Sequence, residues 1–280
     1  MATAADRRIT FKALHQRGRA FLMANPFDIG TARILSGLRF DALATSSAGL
    51  AWTKGVKDAE GLISRDDALA HAAEIIGATS LPVNGDLENG FGDSPEAVVE
   101  TVRGAIEVGL AGCSIEDYSQ DPQHPFYPLD AAVERIRAAA DARDRLAPDF
   151  VLTARSEGSV KTPHELSETI RRLQAFAEAG ADCVYAPELK DKAQIETVLS
   201  EIGTPLNILG GRPNFHLTRK ELGDMGVARI SIGGGLARVA LNAFTAAAET
   251  LKDGGTFGCF DQPDGAEPPV DFEDFMKSKF

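Results

Sequence analysis

The chain is poor in cysteine: three in 280 residues, Cys113, Cys183 and Cys259, far apart and with no C-x-x-C pair. That spacing excludes a disulfide framework and a thiolate metal cluster, and an odd count of thiols fits the reducing cytoplasm. The N-terminus lacks a positive-then-apolar leader pattern, and no apolar run is long enough to span a bilayer. Basic charge is also short, with 29 Lys and Arg against 41 Asp and Glu and a formal net charge of -12. Nucleic acid is therefore excluded as a partner, because phosphate backbones need a basic face. A small anionic ligand is not excluded, because a metal or one or two arginines can reverse the local field. Finally, no G-x-G-x-x-G follows the first apolar run, so the dinucleotide-binding signature is missing.

What is present is a repeat. Short apolar runs at 21–26, 40–46, 81–86, 112–117, 150–155, 182–185, 206–209 and 229–232 read as strands. They are continuous runs, as strands buried on both faces require. Helical patterns separate them, and a short polar helix at 8–18 precedes the first. Gly37, Gly109, Gly180 and Gly226 stand where helices should end before the next strand. After the second strand comes a long loop containing Trp52 and Asp58; Ser64 then caps the next helix. Eight strand–helix units predict an α/β fold, a (β/α)8 TIM barrel over residues 1–252, with residues 253–280 as a C-terminal arm. An open doubly wound sheet is the other topology such units allow.

A barrel gathers its working groups at the carboxyl ends of its strands. Ser46 and Ser47 follow the second strand, Asp86 and Glu88 the third, Glu116 and Asp117 the fourth. Arg155 and Glu157 follow the fifth, Glu188 the sixth, Asn207 lies in the seventh, and Gly233-Gly234-Gly235 follows the eighth. If extended geometry persists past Asp86, Glu88 shares its face. Two carboxylates held so close need a cation between them or a proton on one. Oxygen donors without His or Cys suit a hard ion such as Mg2+. The plainer reading of the stretch is a solvated Asp/Gly turn. The three glycines either hold an anion or relieve crowding.

Residues 40–58 and 86–92, with Ile115-Glu116-Asp117, Ala154-Arg155-Ser156-Glu157 and Pro187-Glu188, resemble the isocitrate lyase/phosphoenolpyruvate mutase superfamily. That resemblance implies a Mg2+-dependent enzyme, with Mn2+ as an alternative, acting on a small anionic α-oxo or 2-hydroxy acid through an enolate. It implies a homo-oligomer, a tetramer built as a dimer of dimers, whose last helix is swapped between subunits. By position it makes Asp86 the acid nearest the metal and Glu88 a longer stand-in for the family's second Asp. Asp58 then holds metal-bound water, and Glu116 is the fourth-strand acid of the same shell. Ser46, Ser47 and Ala48 become the loop that receives the substrate's carboxylate or oxo group. Arg155 becomes the clamp on its distal anion, with Glu188 and Asn207 as further substrate contacts.

One departure limits the resemblance. The Lys-Cys-Gly-His signature of isocitrate and 2-methylisocitrate lyases is absent after Glu116, as is the Lys- and Asn-bearing loop of the mutases. Cys113 lies inside a strand and reads as core. His124, in a Pro-rich loop, is a candidate acid or base on loop closure, or simply a surface histidine. Three functions remain: a lyase or decarboxylase cleaving a C–C bond in a di- or tricarboxylic acid; a C–P mutase or hydrolase acting on phosphoenolpyruvate or phosphonopyruvate; and a non-catalytic oxo-acid-binding barrel.

Overall fold

The computed structural model describes residues 2–158, 164–261 and Met276. Eight parallel strands close into a barrel: β1 (Phe21–Ala24), β2 (Ala42–Ala44), β3 (Val83–Asp86), β4 (Gly112–Glu116), β5 (Val151–Arg155), β6 (Cys183–Tyr185), β7 (Leu206–Leu209) and β8 (Arg229–Ser231). Met23 pairs with Ala42 of β2 on one side and Ser231 of β8 on the other, so the sheet has no edge and the open topology is ruled out. Among the described residues ten α-helices accompany the strands: α1 (Ala4–Leu14), α2 (Ile29–Gly37), α3 (Ser47–Thr53), α4 (Arg65–Gly77), α5 (Pro95–Glu107), α6 (Leu129–Leu146), α7 (Leu166–Glu178), α8 (Lys192–Glu201), α9 (Arg219–Met225) and α10 (Gly235–Glu249).

Three local expectations change. The first helix begins at Ala4, not at residue 8, because Thr3 and Asp6 form a reciprocal capping box. Part of the expected long loop is α3, started by Ser46, whose hydroxyl accepts from the Gly49 amide. Gly109, Gly180 and Gly226 do take left-handed backbone, but Gly37 is the last residue of α2 and Arg39 turns the chain at φ 61°. Of the arm, the 3-10 turn at Gly258–Phe260 and Met276 are described. The Met276 carbonyl accepts from Arg33 of α2 at 2.8 Å. Most of 253–280 lies outside the described residues.

The strands sort their side chains by face. Leu43, Ile115, Leu152, Val184, Leu206, Ile208 and Ile230 join the layer against the helices, packed on Ile75, Val98, Ile136, Leu173, Phe176 and Val198. The other face lines the barrel interior, where α1 closes the amino end. Phe11 of α1 is fully buried among Phe21, Met23, Ala44, Ala111 and Val151. Gly112 makes that closure fit. A Cβ there would stand 2.6 Å from the Val151 carbonyl and 2.9 Å from the Phe11 ring. A depression of ≈ 660 Å³ opens at this end, where Arg219 pairs with Asp41 and Lys220 with Asp224.

Gly112→Val should therefore destabilise the protein by about 2–3 kcal/mol in denaturant titrations, through overpacking against backbone that cannot yield. Unchanged stability would mean that α1 sits loosely on the barrel.

Candidate active site

The carboxyl ends of the strands surround a cavity of ≈ 190 Å³ whose wall draws on all eight strands or the residues just after them. Arg155, the last residue of β5, organises its charge. Its Nη1 lies 3.3 Å from Glu116 and 3.6 Å from Asp86, and its Nε pairs with Glu157. The guanidinium also stands over the Tyr185 ring, 5.0 Å from the centroid. Burial works against the Arg155 charge, but Glu116, Glu157 and Asp86 outweigh it and hold the pKa well above its usual value.

The acids outnumber that one cation. Burial lifts Glu116 well above the usual carboxylate range despite Arg155, and Glu157, Asp86 and Glu88 add to the rise. Glu88 is pushed up to about 7, first by burial, then by Asp86 and Asp58. Burial and Asp86 likewise raise Asp58, which the Ser47 hydroxyl partly offsets. Asp86 is held at the end of β3 by the Ser47 amide, which donates to Oδ2 at 3.1 Å, while the Ser114 hydroxyl lies 3.5 Å from Oδ1. With Ser46 capping α3, the Ser47 amide is one of the donors a first helical turn leaves free.

Asp86 and Glu88 do not share a strand face. β3 ends at Asp86, Leu87 is fully buried, and Glu88 turns left-handed at φ 46°. Its carboxylate accepts from the Gln120 side chain and faces a small void that it shares with Asp86, Ser46 and Ser47. The loop that follows is gripped by buried Arg135 of α6, which donates to the carbonyls of Asn89, Gly92 and Asp93 and lies 4.1 Å over the Tyr127 ring. Asp117, also buried, anchors the opposite side, accepting from Arg172 at 3.0 Å and from the Glu157 amide at 2.8 Å.

The other expected site residues divide. Ser46, Ser47, Ala48, Asp58 and Asn207 line the cavity with Asp86 and Arg155. Both ends of the Asn207 amide are already engaged, by Arg229 at 2.9 Å and Ser231 at 3.0 Å. Glu188 is half-buried beside the cavity, with its carboxyl raised by burial. His124 is not brought to the site. Its side chain is 81% exposed and pairs with Asp121 at 3.3 Å. The glycines after β8 fill a crowded place: Asn25 takes the amides of Ile232 and Gly233, and a Cβ on Gly235 would stand 2.9 Å from the Gly211 carbonyl. Tyr185, Ser114, Ser231, Arg212, Arg229 and Arg238 belong to the cavity wall without having been singled out in the sequence.

Among the described residues no His or Cys lines the cavity, and carboxylates gathered with no nitrogen or sulfur donor have the chemistry of a hard-cation site. Among the described residues no three His, Cys, Asp or Glu side chains already stand at metal-holding spacing. Arg155 supplies the positive charge between Asp86 and Glu116.

The profile of the phosphoenolpyruvate phosphomutase family matches residues 11–252, and the chain belongs to that family, within the isocitrate lyase/PEP mutase superfamily of enzymes. It is 32% identical to 2-methylisocitrate lyase of Escherichia coli K12 over 77% of this chain and 78% of that protein. It is 29% identical to oxaloacetate decarboxylase of Ectopseudomonas mendocina ymp over 93% of this chain and 86% of that one. A crystal structure from Burkholderia cenocepacia J2315, provisionally described as a lyase/mutase, superposes with a TM-score of 0.92 at 44% identity, covering 98% of this chain and 97% of its own.

The raised Glu88 gives a signed prediction. A carboxyl whose folded pKa lies near 7 instead of 4.5 favours folding below pH 4.5 and loses that contribution as pH rises through 7. In metal-free buffer Glu88→Gln should match the parent near pH 4.5 and become relatively more stable by up to about 3 kcal/mol above pH 7, read by denaturant unfolding. A pH-independent difference would mean that Glu88 is not desolvated.

Proposed function

We propose that the protein is a Mg2+-dependent lyase that cleaves a C–C bond, or releases CO2, in a small α-oxo or 2-hydroxy di- or tricarboxylic acid through an enolate. The observation that carries this reading is the convergence of Asp58, Asp86, Glu88, Glu116 and Glu157 on one rim, where among the described residues Arg155 is the cation that pairs with three of them, Asp86, Glu116 and Glu157. Asp86, with Asp58, Glu88 and Glu116, would hold the ion, and Mn2+ suits the same oxygens. Such an ion, when bound, supplies a Lewis acid where negative charge collects as the bond breaks.

The chain's own residues set the rest. Arg155 keeps Asp86, Glu116 and Glu157 together, so it meets a substrate carboxylate as part of a network and not as a free clamp. Ser46, Ser47 and Ala48 line the cavity as well, and Arg212 and Arg238 add positive charge to its lining. More than one cation on the wall favours a substrate with more than one carboxylate. Burial pushes the Tyr185 phenol up to about 12, so it remains protonated and available as a donor. The names of the relatives, a lyase and a decarboxylase, support C–C chemistry. The phosphomutase family profile supports the second reading, C–P chemistry on phosphoenolpyruvate or phosphonopyruvate.

The barrel, residues 1–252, is the catalytic unit and 253–280 an arm. We place the protein in the cytoplasm on the strength of its free thiols. Among the described residues no helix is long and apolar enough to cross a membrane. A homo-oligomer that exchanges α10 is supported by the bare apolar surface of that helix: of fifteen residues only Ala237 is buried, while Val239 is 67% and Phe244 73% exposed.

Mg2+ with oxalate, an enolate mimic, should raise the melting temperature by several degrees, and Asp86→Ala should abolish the shift. A shift that survives Asp86→Ala would misplace the ion. Turnover of oxaloacetate, 2-methylisocitrate and phosphonopyruvate, assayed in parallel, separates C–C from C–P chemistry, and silence in all three would leave a binding protein. Light scattering should give an oligomer that Phe244→Glu dissociates; a parent monomer would refute the exchange.

A further inference from the structure

The floor of the cavity carries a charge that the proposed chemistry has not used. Arg229, on β8, is 1% exposed and lines the same cavity as Asp86 and Arg155. Among the described residues no carboxylate lies within ion-pair distance of it, whereas Arg155 has three. Its hydrogen-bond partners are neutral: Nε donates to Asn207 Oδ1 at 2.9 Å, and Nη1 lies 3.2 Å from His15 Nε2. His15 is fixed as an acceptor. Its Nδ1 lies 2.8 Å from the Phe11 carbonyl, which only accepts, so Nδ1 carries the hydrogen and Nε2 the lone pair. Burial and the Arg229 charge together keep that ring neutral, pushing its pKa down to about 3. An isolated buried cation is costly, and replacing it by an apolar side chain would often cost the fold nothing. Its retention here calls for a negative charge that comes and goes.

We infer that Arg229 is the positive floor of the cavity, a buried cation left unneutralised by the fold so that the charge of an anionic ligand completes it. Asn207 and His15 hold the guanidinium, and Asn207 passes its position on to Ser231 at 3.0 Å. Ser231 lines the cavity with Tyr185, whose ring lies beneath Arg155. Arg229 therefore acts as a positioning residue, by its field and through this ladder. The inference rests on the proposed function only in taking the cavity as an anion site.

The test neutralises Arg229 from outside the cavity. His15 does not line the cavity wall, so His15→Glu sets a carboxylate against Arg229 without altering the binding surface. Calorimetry with full-length protein would use two probes, oxalate with Mg2+ and inorganic phosphate. His15→Glu and Arg229→Met should each weaken binding by at least about tenfold. His15→Gln, which keeps an acceptor and adds no charge, should cost far less, and Arg229→Lys should recover most of what Arg229→Met loses. If the first two variants do not fold, the parent decides: the His15 ring nitrogen resonances should shift as oxalate or phosphate saturates the protein. Folded His15→Glu and Arg229→Met proteins that bind both anions like the parent, unmoved His15 resonances, or a parent that binds neither anion would each overturn the inference. Anion binding that depends on Arg229, in a protein that turns over no oxo acid, would remove the lyase reading and leave this one standing.

Discussion

One guanidinium faces three carboxylates at the mouth of the barrel, and the surrounding structure is arranged around that imbalance. Arg155 could neutralise one acid, yet Asp86, Glu116 and Glu157 all lean on it, and Asp58 and Glu88 crowd in behind. Carboxylates repel at this spacing unless protons or cations intervene, and burial makes the repulsion stronger. A fold selected for stability alone would have no reason to keep them. The barrel can hold them because Asp86 and Glu88 come at the end of β3, Glu116 ends β4 and Glu157 follows β5, and the closed sheet fixes those ends relative to one another.

Support for the site comes from outside it. Arg135 grips the carbonyls behind Asp86, and Asp117 ties the turn after β4 to Arg172 and to the Glu157 amide. At the other end α1 seals the barrel with Phe11, and the same helix delivers His15 to Arg229. The interior is thus apolar at the plugged end and polar toward the mouth. The cavity has charged walls and a charged floor, complementary to a small ligand with several negative charges.

Much of this was legible in the sequence. Asp86, Glu116 and Arg155 each end a short apolar run, and in a barrel that position alone brings them together. Eight strand–helix units pointed to a closed barrel, and the pairing of β1 with β8 excludes the open sheet that the same units allow. What escaped notice was the face on which residues lie. Asn84, Ser114, Thr153, Asn207, Arg229 and Ser231 alternate with apolar residues or glycine, but strands of three to five residues offer too few alternations to show against a background of apolar runs. Arg229 and Tyr185 were hidden for that reason. Glu88 misled in the opposite way, since its i+2 spacing assumed a strand that stops at Asp86. The first turns of α3 carry serine, alanine and glycine, which read as loop until Leu50 and Ala51 are seen to be buried. His124 had the right chemistry, but its loop holds it in solvent.

The most direct measurement is anomalous diffraction from crystals grown with Mn2+. The charge imbalance predicts one strong peak at the barrel mouth, bound by Asp86 and at least one of Asp58, Glu88 and Glu116, with Arg155 released from Asp86. No peak there, with the three acids still resting on Arg155, would contradict it and make the cluster a buried ion network without a metal.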